Sequence, residues 1–272
     1  PAAIRNIAPD WAILPKGFPP FFPRIGKTKL ACYLHDVIWE YYEKLGKATA
    51  SPFPAHEMVY FRALSLRALT KADVVLTSTQ FNKQRYLEYE PKAHVAVVGI
   101  GFDTPVRQTP PHGKDILFYT SPFPHKLTAL GISRLHNWLS RQPDADSIRI
   151  HTIGTLPPNT ELPDARWVKH GRVPQDELHR LMTGTCRVAV YFSAYEGFGM
   201  PPVECLRAGL PCIASDLPPI RENIPPSYLF DNADEAAFLH TLSTVYRASA
   251  LPECPTYPTW ETVAQRCLRA MM

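Results

Sequence analysis

The chain has no long hydrophobic run and no strong charge. Among its 272 residues, no apolar stretch approaches the ~20 residues that a membrane-spanning helix needs, and residues 1–20 lack the layout of a signal peptide. The formal net charge of +4 gives no argument for nucleic-acid binding, although it is compatible with an anionic ligand or a membrane surface. The sequence therefore predicts a cytoplasmic protein without a nucleic-acid partner, and peripheral attachment at the inner face of a membrane stays open.

The sequence also lacks the usual spacings of metal sites. No C-x-x-C pair occurs among its six cysteines, so buried reduced thiols are favoured over disulfides or a metal site. An acidic D-x-D motif flanked by strand residues is missing, because Asp144 and Asp146 stand in a polar loop. The histidines show no metal-ligand spacing on one helix. We expect no metal and no cofactor.

Proline, in contrast, is abundant. The 29 prolines are roughly twice the usual share of about 5%. They cluster between apolar stretches, which predicts stiff loops joining short elements. With 45% hydrophobic residues, the chain is able to bury a sizeable core and is long enough for two lobes.

Short apolar runs alternate with segments of helical periodicity. Near-continuous apolar runs are typical of parallel strands covered on both faces, and the alternation predicts a doubly wound α/β architecture. The predicted strands cover 29–36, 72–78, 94–101, 115–121, 147–154, 186–193 and 211–216. The predicted helices cover 56–71, 126–139, 174–183, 201–209, 233–247 and 259–271.

The proline-rich stretch 103–114 has no periodicity and predicts a break between two lobes. We assign 1–103 to a first Rossmann-like lobe, 104–113 to a linker, 114–256 to a second Rossmann-like lobe and 257–272 to a closing helix. The first lobe has few clear strands and is expected to be incomplete.

A loop with two glycines and two prolines follows the strand predicted over 186–193. It reads SAYEGFGMPPVE and is bracketed by Glu196 and Glu204. Glycines let a ligand approach the backbone, and a helix start beyond the prolines suits a phosphate. The two carboxylates would accept hydrogen bonds from vicinal sugar hydroxyls. From these residues alone, a sugar-phosphate site and an ordinary turn with two solvated glutamates stay equally open.

The wider segment 186–222 resembles the donor-site motif of retaining glycosyltransferases of family 4, which have the GT-B fold of two Rossmann-like lobes facing a cleft. In that family two glutamates frame a glycine loop, and a helix and a strand follow. The matching positions are Glu196, Gly197, Phe198, Gly199, Pro201, Glu204, Ala208, Gly209, Pro211 and Glu222. Cys212 stands where the family usually has valine. Weaker similarity extends over about 29–270, including 32–36, 72–81, 115–127, 167–182 and 259–268.

The resemblance implies a hexosyltransferase that uses a nucleoside-diphosphate sugar. Glu204 would hold the ribose and Glu196 the sugar, while Lys126 would neutralise the leaving diphosphate. The family usually has arginine where this chain has His125, which puts one charge on the diphosphate in question. The implied donor-binding residues are Thr120, Lys126, Glu196, Gly197, Phe198, Gly199, Met200 and Glu204. The implied catalytic residues are His35, Lys126 and Glu196.

Transfer with retention to a saccharide or lipid-linked acceptor, in polysaccharide or glycan biosynthesis, follows from the same resemblance. We favour a GDP-mannose donor first and a UDP-hexose second. Nothing before residue 29 resembles the start of the family's first lobe, so a non-catalytic or split-enzyme donor-binding subunit that needs a partner chain is the alternative. A GT-B epimerase ranks below both. The aromatic segment 16–24 would touch a lipid-linked acceptor or simply pack, whereas 63–71 favours a core-facing helix over a membrane anchor.

Overall fold

Parallel strands form two separate sheets in the computed structural model, which describes residues 6–15, 26–45, 54–104 and 106–272. The chain divides into two units. One contains Pro1–Asp103 and Thr256–Met272, and the other contains Thr104–Pro255. Each unit has one sheet with helices against it, as the sequence predicts for a two-lobed α/β protein. The aromatic segment 16–24 lies outside the described residues.

The first lobe is built on a four-stranded sheet of order β1-β2-β3-β4, in which every neighbouring pair is parallel. Its strands are β1 (Trp11–Leu14), β2 (Lys29–Tyr33), β3 (Val74–Thr77) and β4 (Val95–Val97). Its helices are α1 (Ile38–Leu45), α2 (Ala55–Lys71), α3 (Gln80–Tyr89) and α9 (Trp260–Met271), numbered in chain order with those of the second lobe.

The central strands of the first lobe are buried on both faces. Successive side chains of a strand point to opposite faces, so Ala31 and Cys32 enter different clusters although both are fully buried. Cys32 packs in the cluster that contains Trp39, whereas Ala31 packs in the one that contains Val263 of α9. This double burial explains why β2 and β3 appear in the sequence as continuous apolar runs.

The second lobe is built on a six-stranded parallel sheet of order β10-β9-β8-β5-β6-β7. Its strands are β5 (Asp115–Thr120), β6 (Ile150–Gly154), β7 (Trp167–Gly171), β8 (Cys186–Tyr191), β9 (Cys212–Ser215) and β10 (Leu229–Phe230). Its helices are α4 (Thr128–Ser140), α5 (Gln175–Arg180), α6 (Met200–Arg207), α7 (Pro218–Arg221) and α8 (Glu235–Arg247).

A close approach between α4 and β5 sets the packing of one face of this sheet. A Cβ on Gly131 of α4 would lie 2.4 Å from Cζ of Phe118, so only glycine allows this contact. Phe118 in turn packs edge-to-face on Phe192, at a ring-centroid distance of 6.3 Å. These residues belong to a core that continues to Phe238 of α8.

All seven strands expected from apolar runs are present, and the α/β prediction is confirmed. The helix expected over 174–183 is α-helical to Arg180 and then continues as a π-turn over Leu181–Thr185. Residues 106–113 of the predicted linker pack on the second lobe. There the amide of Arg107 donates to the carbonyl of Arg207 at 2.8 Å, and its guanidinium donates to the carbonyl of Thr183 at 2.5 Å.

Candidate functional site

The order of strands in the second lobe reverses between β5 and β8. From β5 the chain passes outward to β6 and β7 on one side, and then returns to β8 and β9 on the other. In open parallel sheets, ligands bind at such a switch point, beyond the carboxyl ends of the strands. The loop after β5 carries Lys126, and the loop after β8 carries Glu196. The topology alone therefore brings these two residues to the same place.

Lys126 is held at the end of a short, well-defined loop. Pro124–Lys126 forms a 3-10 turn, and the loop is closed by Thr128, whose hydroxyl accepts from the amide of Ser121 at 3.0 Å. Leu127 adopts a left-handed conformation with φ of 48°, which ends the turn and starts α4. The lysine is thus fixed at the N-terminal end of α4 rather than on a long free loop.

Lys126, Glu196 and Tyr191 form a hydrogen-bonded triad at the switch point. The Lys126 ammonium lies 2.5 Å from Oε1 of Glu196 and 2.7 Å from the hydroxyl of Tyr191. That hydroxyl donates to the same Oε1 at 2.7 Å. Burial, reinforced by the charge of Glu196, raises the pKa of Tyr191 well above its ordinary value, so the hydroxyl stays protonated. Oε2 of Glu196 has no hydrogen-bond partner among the described residues.

The glycine loop turns sharply before α6. Gly199 has φ of +89°, a conformation that other residues adopt only with strain, and a Cβ there would lie 3.0 Å from Cγ1 of Ile220. Because Pro201 and Pro202 carry no N–H, the amide donors at the start of α6 come from the residues before them. This arrangement suits the interpretation that the loop presents backbone amides to an anionic ligand.

A polar network fixes the neighbouring strand ends. The hydroxyl of Ser215 accepts from the amide of Ser193 at 2.8 Å and donates to Oδ1 of Asn232 at 2.8 Å. The side-chain amide of Asn232 returns to the carbonyl of Ser193 at 2.7 Å. Ser193 and Ser215 are fully buried, so the carboxyl ends of β8 and β9 are held rigidly beside the glutamate loop.

Glu204 lies on α6 and is partly buried. Burial raises the pKa of its carboxyl above the ordinary value. Its side chain forms no hydrogen bond with the described residues, and it therefore keeps its acceptors for another group. Such a carboxylate, on a helix that starts at the glycine loop, suits a ligand that presents vicinal hydroxyls.

His125 contributes no positive charge at neutral pH. Burial, and then the adjacent charge of Lys126, lower the pKa of His125 to about 4. Its ring stacks on Phe123 at a centroid distance of 5.8 Å. The position where the family usually has arginine is therefore neutral in this chain, and its place beside a diphosphate stays a prediction.

Two further predicted site residues, Thr120 and His35, are not members of the triad. Thr120 is buried at the end of β5 and donates its hydroxyl to the carbonyl of Ile153 at 3.1 Å. His35 lies in the first lobe, two residues beyond β2, with its ring 4.9 Å from that of Tyr33. Asp36 beside it accepts from the amide of Ile38 at 2.9 Å and so supports the start of α1. The catalytic role of His35 stays a prediction.

Tyr191 is the member of the triad that the sequence analysis missed. Its apolar neighbours in β8 give the strand the appearance of a uniformly buried core element. The signal that would have found it is its position as the last residue of the strand before the glutamate loop, because strand ends face a ligand in this architecture. Within the described ranges, no group of three or more candidate ligands is placed to hold a metal ion. Among the same residues, no helix is long and apolar enough to cross a membrane.

Comparison with known sequences locates a family pattern in the second lobe. Residues 165–253 match the sequence model described as "Glycosyl transferases group 1". The match contains Glu196, the glycine loop and Glu204, whereas Lys126 precedes it. None of the curated proteins matches the chain significantly in sequence.

Solved structures with a similar fold are numerous. Sucrose-phosphate synthase from Thermosynechococcus elongatus is 16% identical, with a TM-score of 0.62 over 90% of this chain and 67% of its own. HepE from Anabaena in complex with UDP-glucose gives 16% identity and a TM-score of 0.62 over 90% and 68%. A mutant of S. aureus TarM in complex with Fondaparinux, alpha-GlcNAc-glycerol and UDP is 13% identical. Its TM-score is 0.65, over 92% of this chain and 48% of its own.

The chain therefore spans between about half and two thirds of the length of these structures. Identities this low establish the fold and not the activity. The chain has the two parallel-sheet, Rossmann-like lobes of GT-B glycosyltransferases, and its second lobe carries the group 1 glycosyl transferase pattern.

Proposed function

We propose that this protein is a glycosyltransferase that moves a hexose from a nucleoside-diphosphate sugar to a saccharide or lipid-linked acceptor. The observation that carries the proposal is the triad of Lys126, Tyr191 and Glu196 at the switch point of the second sheet. It combines one cation with a carboxylate that keeps an unpaired oxygen among the described residues. A sugar diphosphate needs both, a positive charge for its phosphates and an acceptor for its hydroxyls.

The chemistry follows from how charge develops during transfer. As the bond between the sugar and the diphosphate breaks, negative charge grows on the leaving phosphate, and we assign Lys126 to neutralise that charge. Preorganised groups of this kind supply the largest part of many enzymatic rate enhancements. Amides of Phe198, Gly199 and Met200 would add neutral donors at the start of α6.

Each glutamate has a separate task in this proposal. Glu196 would hold hydroxyls of the transferred sugar through Oε2, since Oε1 is already occupied by Lys126 and Tyr191. Glu204 would hold the ribose hydroxyls. His35 would act near the transferred sugar from the first lobe, a role that rests on the family resemblance alone. The roles proposed for Glu196 and Glu204 need no bound metal.

Retention of configuration belongs to the proposal and has support from a relative. One similar solved structure, of trehalose-6-phosphate synthase, is described as giving insight into glycosyltransfer with retention. Other structural neighbours contain UDP or UDP-glucose. These neighbours favour testing uridine donors beside GDP-mannose, the first expectation from the sequence. Assembly of a polysaccharide or glycolipid at the inner membrane face remains part of the same proposal.

A thermal-shift panel tests donor binding directly. The protein is heated with UDP-glucose, other UDP-hexoses or GDP-mannose, and a donor that binds only the folded state raises the melting temperature by mass action. The stabilisation is about 2.7 kcal/mol at a ligand concentration 100 times Kd. The Glu204→Ala variant should lose this shift. An unchanged shift in that variant would remove Glu204 from the donor site, and no shift with any donor would overturn the proposal.

Transfer assays separate an enzyme from the donor-binding alternative. A donor that binds and is also consumed, with release of nucleoside diphosphate in the presence of saccharide or lipid-linked acceptors, supports the enzyme. Binding without turnover for every acceptor, and with any co-purifying chain removed, supports a binding subunit that needs a partner.

A further inference from the structure

Two groups that the proposed function assigns to different parts of the donor contact each other in this structure. Lys126 is the candidate partner of the diphosphate, and Glu196 is the candidate partner of the sugar. Their side chains are 2.5 Å apart, with only 22% and 10% of their surfaces exposed. Partial exclusion of water strengthens such a pair relative to a surface ion pair.

The contact uses much of the binding capacity of the lysine. An ammonium has three N–H donors, and two of them are directed to Oε1 of Glu196 and to the hydroxyl of Tyr191. A diphosphate that approaches Lys126 therefore meets one remaining donor and a carboxylate of its own sign. Glu196 would therefore compete with the diphosphate for the ammonium of Lys126.

A sugar attached to the diphosphate changes this balance. Its hydroxyls can donate to Oε2 of Glu196, which has no partner among the described residues. The hydrogen bonds offset the cost of bringing two negative groups together. The nucleoside diphosphate that remains after transfer has no such hydroxyls, so the repulsion is uncompensated.

We infer that the Lys126–Glu196 pair selects the nucleotide sugar over its nucleoside-diphosphate product and so limits product inhibition. This inference rests on the proposed function, because it needs the diphosphate to meet Lys126. Tyr191 supports the selection as a positioning residue. Its buried hydroxyl holds Oε1 in place, while Oε2 has no hydrogen-bond partner among the described residues.

The test compares product and donor binding in the Glu196→Gln variant, which keeps the size of the side chain and removes its charge. Calorimetry measures the dissociation constants of UDP and UDP-glucose in separate titrations, and likewise those of GDP and GDP-mannose. Inorganic pyrophosphate serves as a probe without sugar or base. We expect the variant to bind the diphosphate and pyrophosphate about tenfold more tightly, an effect of the size that a nearby charge exerts in a partly buried site. The ratio of product Kd to donor Kd should fall by at least as much.

Two further variants make the result interpretable. Asp216→Asn is the matched control, since Asp216 follows β9 as Glu196 follows β8 and is paired with Arg221 rather than Lys126. It should leave both dissociation constants unchanged. Glu196→Asp keeps the negative charge but moves it away from Lys126, because aspartate is one methylene shorter. It should tighten product binding by less than Glu196→Gln does. Melting temperatures of all variants establish that they are folded.

The outcomes separate the inference from the function on which it rests. Tighter product binding in Glu196→Gln supports the inference. Unchanged or weaker product binding there, while Lys126→Met weakens it, overturns the selection but leaves the donor site in place. If Lys126→Met binds every probe like the original protein, the role of Lys126 in the proposed function fails and the inference fails with it.

Discussion

The second lobe contains two clusters of charged and polar side chains at opposite ends of its strands. One is the triad of Lys126, Tyr191 and Glu196 at the carboxyl ends. The other begins at the amino ends of β5 and β6, where His151 bonds to Asp115 at 3.0 Å, and it extends to His170 of β7, 2.8 Å from His151. Both clusters are largely buried and both link neighbouring strands, so burial and hydrogen bonding alone do not distinguish them.

The difference lies in what each cluster leaves unpaired. At the amino ends, the second oxygen of Asp115 accepts from the amide of Arg149 at 2.9 Å, and His170 faces Glu177 at 3.7 Å. At the carboxyl ends, Glu196 retains a free oxygen among the described residues and Lys126 retains a donor. A closed network stabilises a fold, whereas an open one is available to a ligand. We therefore expect the amino ends to contribute to stability and the carboxyl ends to ligand binding.

The largest expected effect is at the open cluster. Replacing Lys126 by methionine removes the charge that would neutralise the leaving phosphate, so the transfer rate should fall about 10²–10³-fold. Steady-state turnover of the donor found in the thermal-shift panel measures this. Lys114→Met, an exposed lysine at the amino ends, is the control. Equal losses in the two variants would erase the distinction between the ends.

Acid should act on the open end through His125. Its pKa is lowered from 6.5 to about 4, so between these values the unfolded state binds a proton that the folded state does not. The contribution of His125 to the free energy of unfolding is fully present above pH 6.5. It is lost as the pH falls toward 4, and the loss is about 3 kcal/mol at most. Urea unfolding across this range should show a flatter profile for His125→Phe, which keeps the stacked ring. Parallel profiles would contradict the assignment.

Breaking the closed cluster should cost stability and not turnover. Burial alone would raise the pKa of Asp115, but hydrogen bonds from His151 and the amide of Arg149 outweigh it and lower that pKa. Asp115→Ala leaves these donors buried and unpaired, at a cost of about 1–3 kcal/mol in the free energy of unfolding. Urea unfolding and turnover are measured together, with the exposed Asp144→Ala as control. A large loss of turnover in the folded variant would give the amino ends a catalytic role.

The smallest effect is expected for Tyr191→Phe. The substitution removes the hydroxyl that joins Lys126 and Glu196 but keeps the ring, whose centroid lies 5.1 Å from the ammonium. Loss of a hydrogen bond to a charged group predicts about a tenfold lower kcat with KM for the donor less affected. Tyr119→Phe on the adjacent strand is the control, because that hydroxyl contacts the sulfur atoms of Cys205 and Met182 rather than a charged group. An equal effect of both variants would reduce Tyr191 to a packing residue.

The sequence predicted the sheets well because parallel strands buried on both faces appear as unbroken apolar runs. Elements without that pattern were missed. The strand β10 has two residues, and α3 buries Asn82 and Tyr86 rather than an apolar stripe. Its start depends on Thr79, whose hydroxyl accepts from the amide of Asn82 at 3.2 Å, a capping signal that is weak in the sequence alone.

Within the site, residues on marked loops were easier to anticipate than those inside strands. Glycines and prolines around Glu196 drew attention to the loop, and the family resemblance supplied Lys126. Their direct contact follows from the strand order, which the sequence does not reveal. The same holds for His151 and His170, which are 19 positions apart and meet only because β6 and β7 are neighbours.

The position of α9 has a consequence for how the protein is made. This helix covers Val74 and Leu76 of β3 through Val263, although the whole second lobe separates the two in the chain. The second lobe therefore leaves the ribosome before α9, which covers one face of the first sheet, has been synthesised. Domains generally fold as units as they emerge. We therefore expect the second lobe to fold first during synthesis, while one apolar face of β3 stays exposed and accessible to chaperones.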